Sequence, residues 1–119
     1  MASLTREQFE QAVNDALDSL PERFSRLVEN VAIAVEEEPT DEDRGSFHDE
    51  PDSEILGIYR GVALTERSHD MPILPDEIAV FRGPINRVAR SQQEAVEEIR
   101  ETIVHELGHY FGVDEEELP

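Results

Sequence analysis

The sequence predicts a single α+β domain, in which short apolar strands lie between an N-terminal helix and a long C-terminal helix. Three observations lead to this fold class: a helical apolar stripe near the start of the chain, short apolar runs in the middle, and a long helical pattern near the end. A chain of 119 residues suits one hydrophobic core and is short for two ordinary domains. We therefore expect residues 1–119 to form one domain.

The N-terminal helix is expected to run from Thr5 to about Leu20. Thr5 and Gln8 have the spacing of a capping box, in which each side chain bonds the backbone amide of the other residue. Pro21 closes the pattern, and a second short helix is expected around Phe24–Val28. Apolar residues recur in the first helix at helical spacing and form one stripe: Phe9, Val13, Ala16, Leu17 and Leu20.

Three apolar runs in the middle of the chain are predicted to be strands. All side chains of Val31–Val35 and of Ile78–Phe81 are apolar, which is typical of strands covered on both faces. Ile55–Val62 is predicted to be a strand or hairpin arm, with Gly57 and Gly61 inside it.

The acidic stretch from Glu36 to Glu54 is predicted to be a solvated loop, because it holds ten carboxylates with little periodicity. An EF-hand calcium loop is excluded. Its glycine belongs at the sixth position, which Ser46 would occupy if Asp41 were the first.

The composition narrows the function. The 29 acidic and 10 basic residues give a formal charge of −19, which repels nucleic-acid phosphates and anionic lipids. Nucleic acid is therefore not an expected partner. No cysteine is present, so a metal ion would be held by His, Asp or Glu. No apolar run approaches the roughly 20 residues that span a membrane, and no signal-peptide pattern opens the chain, so we expect a cytoplasmic protein.

The C-terminal helix is expected over Gln92–Phe111. Ser91 and Glu94 have capping-box spacing, and Gly112 suits the left-handed position that ends a helix. Apolar residues at helical spacing form a stripe that is expected to face the core: Val96, Ile99, Ile103, Leu107 and Tyr110.

The same helix carries the motif HExxH, formed by His105, Glu106 and His109. Residues four apart on a helix share a face, so both imidazoles can reach one tetrahedral Zn²⁺ at about 2.0–2.1 Å. Helical geometry places the histidines roughly opposite the apolar stripe. Glu106 is next to the ion, where it can act as general base toward a zinc-activated water without being a ligand.

A catalytic zinc needs a third protein ligand, and the acidic segment after the helix offers candidates. Gly112 allows the chain to turn back, so that Glu115 or Asp114 supplies a carboxylate. The alternative is that this acidic segment is only solvated.

With these residues the chain resembles the minimal zincin-like metallopeptidases, short bacterial proteins with the signature HExxHxxGxxD and aspartate as third zinc ligand. The resemblance covers nearly the whole chain and includes the runs NVAIAVEEEP from Asn30, LGIYRGVALTERS from Leu56 and FRGPINR from Phe81. It implies a zincin fold, with a small mixed sheet, the active-site helix packed beneath it, and a cleft where an extended peptide lies along an edge strand.

The resemblance also implies the third ligand. The family's aspartate stands three residues after the glycine, and this position is Glu115 here, with Asp114 one place earlier. We therefore expect Glu115 to be the ligand, with Asp114 in reserve.

The predicted function is a zinc-dependent peptidase acting on peptide or protein substrates. The alternative is a non-catalytic zincin scaffold whose acidic surface binds a protein partner; a purely structural metal site ranks last. His48 and His69 are expected to have ordinary surface roles, and Tyr59 is a weaker candidate for stabilising an oxyanion. The pattern leaves the oligomeric state open.

Overall fold

A computed structural model describes residues 1–29, 31–46, 54–61 and 76–111, without the side chains of Ser46 and of residues 109–111. These residues form helices and strands in a mixed order, which confirms the α+β class. In chain order the elements are α1 (Arg6–Asp18), α2 (Glu22–Val28), β1 (Val31–Glu36), α3 (Asp41–Ser46), β2 (Gly57–Arg60), β3 (Asp76–Phe81), α4 (Arg82–Val88) and α5 (Gln92–Phe111).

The three described strands form a mixed sheet in the order β1-β3-β2. β1 runs parallel to the central strand β3, with Ile33 beside Ile78, and β2 runs antiparallel to β3, with Tyr59 beside Ile78. Because side chains alternate along a strand, Ile78 and Val80 point to one face of the sheet, and Ala79 and Phe81 to the other. The mixed sheet agrees with the fold that the resemblance implies.

The larger core lies on the face of the sheet that the helices cover. α1 packs along α5, and both contribute apolar residues of their predicted stripes to this core, although the side chain of Tyr110 lies outside the described part. Burying a large apolar side chain stabilises the fold by about 1.5–3 kcal/mol, so this layer holds α5 firmly in place. Its fully buried members include Phe9, Ala12, Ala16, Phe24, Ile78, Val80, Ile85, Ile99, Ile103 and Leu107.

A smaller cluster lies on the opposite face of the sheet. Ile55 and Ile58 pack there with Ala79 and Phe81. The guanidinium carbon of Arg60 lies 6.0 Å from the centre of the Phe81 ring, a cation–π distance. All four residues of Ile78–Phe81 are fully buried, which confirms that β3 is covered on both faces.

Arg60 binds three carboxylates on this second face. It bonds Glu36 through both terminal nitrogens at 2.7 and 2.9 Å, Asp43 at 2.7 and 3.1 Å, and Glu77 at 2.8 Å. These hydrogen bonds hold the pKa values of Glu36 and Asp43 below their usual range. Arg60 therefore ties β2 to β1, β3 and α3.

Two further arginines, both on α4, bind the acidic residues that follow β1. Arg82 bonds Glu37 at 2.8 Å, and Arg87 bonds Glu38 at 2.8 Å and Glu54 at 2.9 Å. Each of the consecutive glutamates 36, 37 and 38 is thus paired with a different arginine.

The prediction of a loop from Glu36 to Glu54 is wrong for Glu36 and for Asp41–Ser46, whereas residues 37–40 and 54 lie outside helices and strands. Glu36 ends β1, and α3 begins after Thr40, whose hydroxyl accepts from the Asp43 amide at 3.1 Å while the Asp43 carboxylate accepts from the Thr40 amide at 2.9 Å. The charge density concealed this capping box. Residues 47–53 lie outside the described part.

Helix α4 is an element that the sequence did not predict, because Gly83 and Pro84 are typical of a break in regular structure. They do end β3, but they lie in the first turn of α4, where the missing amide hydrogen of proline costs little.

The expected covering of β1 on both faces is also wrong. Ala32 is exposed, and Val31 is the one residue of this strand that is buried.

The boundaries of α1 and β2 differ by a few residues from the predicted ones. α1 ends at Asp18 rather than Leu20, because the Leu20 amide bonds Leu17 in a tighter last turn. β2 spans Gly57–Arg60, a shorter range than predicted, and residues 62–75 lie outside the described part.

Within the described ranges, no helix is long and apolar enough to cross a bilayer.

We expect Arg60→Met to lower the free energy of unfolding by about 2 kcal/mol, because the buried Asp43 then loses its cation while the methionine still covers Phe81. Chemical denaturation at neutral pH measures this change. Arg26→Met is the matched control, since its pair with Glu22 is highly exposed, and a change within about 0.5 kcal/mol is expected there. Equal losses in the two variants would contradict the structural role of Arg60.

Candidate metal centre

The HExxH motif lies within α5, which is one helix from Gln92 to Phe111. Its start is capped by Ser91, whose hydroxyl oxygen accepts a hydrogen bond from the Glu94 amide at 3.1 Å. Because the helix is unbroken, His105 and His109 lie one turn apart on one face. The backbone therefore has the arrangement that the motif needs.

The core fixes which way this helix face points. Ile103 and Leu107, on either side of the first histidine in sequence, are fully buried, whereas the His105 side chain is exposed. His105 is therefore not a core histidine, as its angular position on the helix predicted. The side chain of His109 lies outside the described part.

Glu106 is half-buried and lies one turn after Thr102 on the same side of α5. That side approaches β2: a Cβ atom built on Gly57 would lie only 2.6 Å from Cγ2 of Thr102. Glu106 thus continues the side of the helix that contacts the strand, while His105 is turned toward solvent.

An acidic stripe precedes His105 on its own face of the helix. Glu94, Glu98 and Glu101 follow each other at spacings of four and three residues, and His105 comes four later. Burial raises the pKa of Glu98, and the neighbouring charges of Glu101, Glu94 and Glu97 raise it further. The stripe therefore produces a negative potential that attracts cations toward the histidine.

Several predicted site residues lie beyond what the structure describes. They are Gly112 and both candidates for the third ligand, Asp114 and Glu115; His48 and His69, expected to have surface roles, also lie there. Among the described residues, no three His, Asp or Glu side chains form a group suited to a metal ion. The third ligand therefore stays a prediction.

Tyr59, the weaker oxyanion candidate, is half-buried on the helix-facing side of the sheet. Its hydroxyl donates a hydrogen bond to Asp76 Oδ2 at 2.9 Å. This bond holds the phenol against the start of β3.

Two residues near the motif were not singled out as functional from the sequence: Gly57 and Thr102. A glycine inside a strand signals a close approach of another element, and the position of Thr102 one turn before Glu106 signals which side of α5 it shares with the motif. The sequence contains both signals but not the pairing between them.

The runs that carry the resemblance coincide with the ion pairs around the sheet. The first run contains the three glutamates at positions 36–38, the second contains Arg60, and the third contains Arg82 and Arg87. In this structure, then, the charged residues of these runs hold the scaffold together.

Comparison with known proteins decides the family. The sequence profile described as zincin-like metallopeptidase matches residues 28–119, from the end of α2 through α5 and the segment after it. The chain belongs to this family. The zincin-like segment leaves out α1, so the helix that packs along α5 comes from the part of the chain before the match.

One solved structure resembles this chain over most of its length. It is a conserved hypothetical protein from T. thermophilus, with 24% sequence identity and a TM-score of 0.54, covering 91% of this chain and 94% of that one. At this identity the likeness concerns the fold. A comparison with curated proteins finds no match.

We expect Glu98→Gln to raise the melting temperature by a few degrees at neutral pH. The raised pKa of Glu98 means that folding is hindered by the charged carboxylate, so removing the charge stabilises the fold. The gain should disappear below the ordinary carboxyl value of 4.5, where wild-type Glu98 is protonated in both states. Thermal melts at pH 7 and pH 4 test this, with the exposed Glu97→Gln as control; a gain that persists in acid would contradict it.

Proposed function

We propose that this protein is a zinc-dependent peptidase that hydrolyses peptide or protein substrates. The observation that carries the proposal is the position of HExxH on α5: the helix is held by fully buried neighbours, His105 is exposed, and Glu106 lies toward β2. Family membership supports the same chemistry. We propose that the protein acts in the cytoplasm, without a nucleic-acid or membrane partner, as its charge indicates.

The donor set fits zinc. His105 and His109 provide two nitrogen ligands one helical turn apart, and the acidic segment that follows provides Glu115, with Asp114 in reserve, as the third. When bound, zinc lowers the pKa of water to about 7 and polarises the scissile carbonyl. Carboxylate and imidazole are the ligands that catalytic zinc sites use when cysteine is absent.

Glu106 is the proposed general base. It accepts a proton from the attacking water and donates it to the leaving amine. Its half-buried position beside Thr102 restricts its motion and its hydration, so the carboxylate is oriented before the substrate binds. The buried residues Ile103 and Leu107 fix the rotation of α5 and hence the direction in which Glu106 points.

An extended peptide is the proposed substrate form. Among the described strands, β2 lies at the edge of the sheet beside α5, so a peptide could pair along it, as the resemblance implies. The acidic stripe near His105 favours substrates that carry positive charge close to the cleaved bond.

A second candidate is a non-catalytic scaffold that binds a basic protein partner. The observation that favours it is the internal use of Arg60, Arg82 and Arg87, which are all engaged in ion pairs within the fold. Their pairing leaves the remaining acidic surface with few basic side chains to offset it. Partner binding that survives loss of the general base would support this candidate.

We expect Glu106→Gln to lower kcat by about 10²–10⁴-fold while zinc remains bound, because the variant lacks the proton acceptor but retains the proposed ligands. His105→Ala should lose the zinc itself. Metal content by plasma mass spectrometry and cleavage of a broad peptide library measure the two effects. Glu22→Gln, an exposed carboxylate on α2 and outside the acidic stripe, is the control and should retain both metal and activity.

Wild-type protein that neither contains zinc nor takes it up would contradict this proposal. Zinc binding with equal activity in wild type and Glu106→Gln would reject Glu106 as the base. A basic partner captured equally by both proteins, together with no cleavage, would favour the scaffold function.

We expect Glu115→Ala to weaken zinc binding by at least about tenfold and Asp114→Ala to weaken it less, because the glutamate occupies the position of the third ligand. Competition with a chromogenic chelator measures both affinities. A larger loss in Asp114→Ala would assign the ligand to the aspartate, and no loss in either variant would show that the acidic segment is not part of the site.

A further inference from the structure

We propose that Gly57 and Thr102 act together as positioning residues for peptide hydrolysis, by setting the separation between β2 and the helix that carries HExxH. This inference rests on the proposed peptidase function. It assigns a role to a contact that lies outside the motif itself.

The approach of the strand to the helix leaves no room for a side chain at position 57. A Cβ atom at Gly57 would lie 2.6 Å from Cγ2 of Thr102 and 2.8 Å from the carbonyl oxygen of Ala79. Both distances are below normal carbon contacts, and the second involves a backbone atom of β3. Any larger residue at position 57 therefore forces β2 or α5 to move.

Thr102 is held in the orientation that makes this contact. Its hydroxyl donates a hydrogen bond to the Glu98 carbonyl oxygen at 2.7 Å, one turn earlier in α5. This bond fixes the side-chain rotamer, so the methyl group is kept against Gly57. The hydroxyl thus holds the side chain, and the methyl acts as the spacer.

The strand is the element that would move. α5 is held by Ile99 and Ile103, both fully buried in the main core, whereas β2 pairs only with β3 in the described sheet. A peptide lying along β2 would move outward with the strand and away from Glu106, which lies one turn beyond Thr102. The two histidines would keep their mutual spacing, because they belong to the same helix.

Gly57→Ala should therefore displace the peptide relative to Glu106 without changing the spacing of the two histidines. We expect kcat to fall at least about tenfold, because a displacement of a fraction of an ångström already misaligns reacting groups. Zinc affinity should stay within about twofold of the wild-type value. The double variant Gly57→Ala/Thr102→Ser removes the obstructing methyl and should recover part of the lost kcat. The recovery is partial because the Ala79 carbonyl still crowds the new Cβ.

The experiment measures kcat, KM, zinc affinity and melting temperature on the full-length protein, with the peptide that wild type cleaves best. Gly45→Ala in α3 is the matched glycine control, because no atom lies within 4 Å of a Cβ there. If Gly57→Ala fails to fold, Thr102→Ser and Thr102→Val decide: the serine variant, which loses the methyl, should lose more kcat than the valine variant, which keeps it.

The outcomes separate this inference from the proposed function. Wild type that binds zinc and cleaves no peptide would overturn the peptidase function and this inference with it. If wild type cleaves the peptide, three results would overturn the positioning role alone. They are an unchanged kcat in Gly57→Ala, a loss of zinc affinity in Gly57→Ala that parallels the loss of kcat, and no recovery of kcat in Gly57→Ala/Thr102→Ser. Equal kcat in the two threonine variants would also overturn it.

Discussion

Burial of β3 on both faces is the interaction on which the rest of the structure depends. Its residues Ile78–Phe81 are all fully buried, and they alternate between the helix-facing core and the smaller cluster under Arg60. β1 and β2 each pair with this strand. Because α5 packs on the helix-facing side, the position of the HExxH motif depends on how well β3 is packed.

Ion pairs explain how so acidic a chain can fold with β3 at its centre. Three consecutive glutamates lie at the end of β1 and just after it, and without partners their repulsion would oppose folding. Each of these three glutamates binds a different arginine of β2 or α4. Arg60 also covers Phe81, so the same side chain neutralises charge and shields an aromatic ring.

The sequence predicted the elements whose signals are local. α1 has its capping box and stripe, α5 has its periodicity and Ser91 cap, and Ile78–Phe81 has the continuous apolar run of a buried strand. The angular position of His105 relative to the apolar stripe likewise predicted that it lies away from the core. These features depend on residues a few positions apart.

What could not be predicted depends on contacts between distant residues. α3 is formed within a charged stretch whose cap at Thr40 is reinforced by Arg60 from β2, and α4 begins at a Gly-Pro pair that normally signals a turn. The approach of Gly57 to Thr102 joins positions 45 residues apart, which no periodicity encodes. The pairing of each glutamate with its arginine is similarly non-local.

The choice of arginine in these ion pairs has a consequence at high pH. Every basic residue of the chain is an arginine, and the carboxylates raise the pKa values of Arg60, Arg82 and Arg87 above the usual arginine range. A lysine ammonium would begin to lose its proton near pH 10, whereas a guanidinium keeps its charge. The ion pairs around the sheet therefore respond differently to acid and to alkali. Acid breaks them by protonating the carboxylates, whereas a pH that would neutralise lysines leaves them charged on both sides.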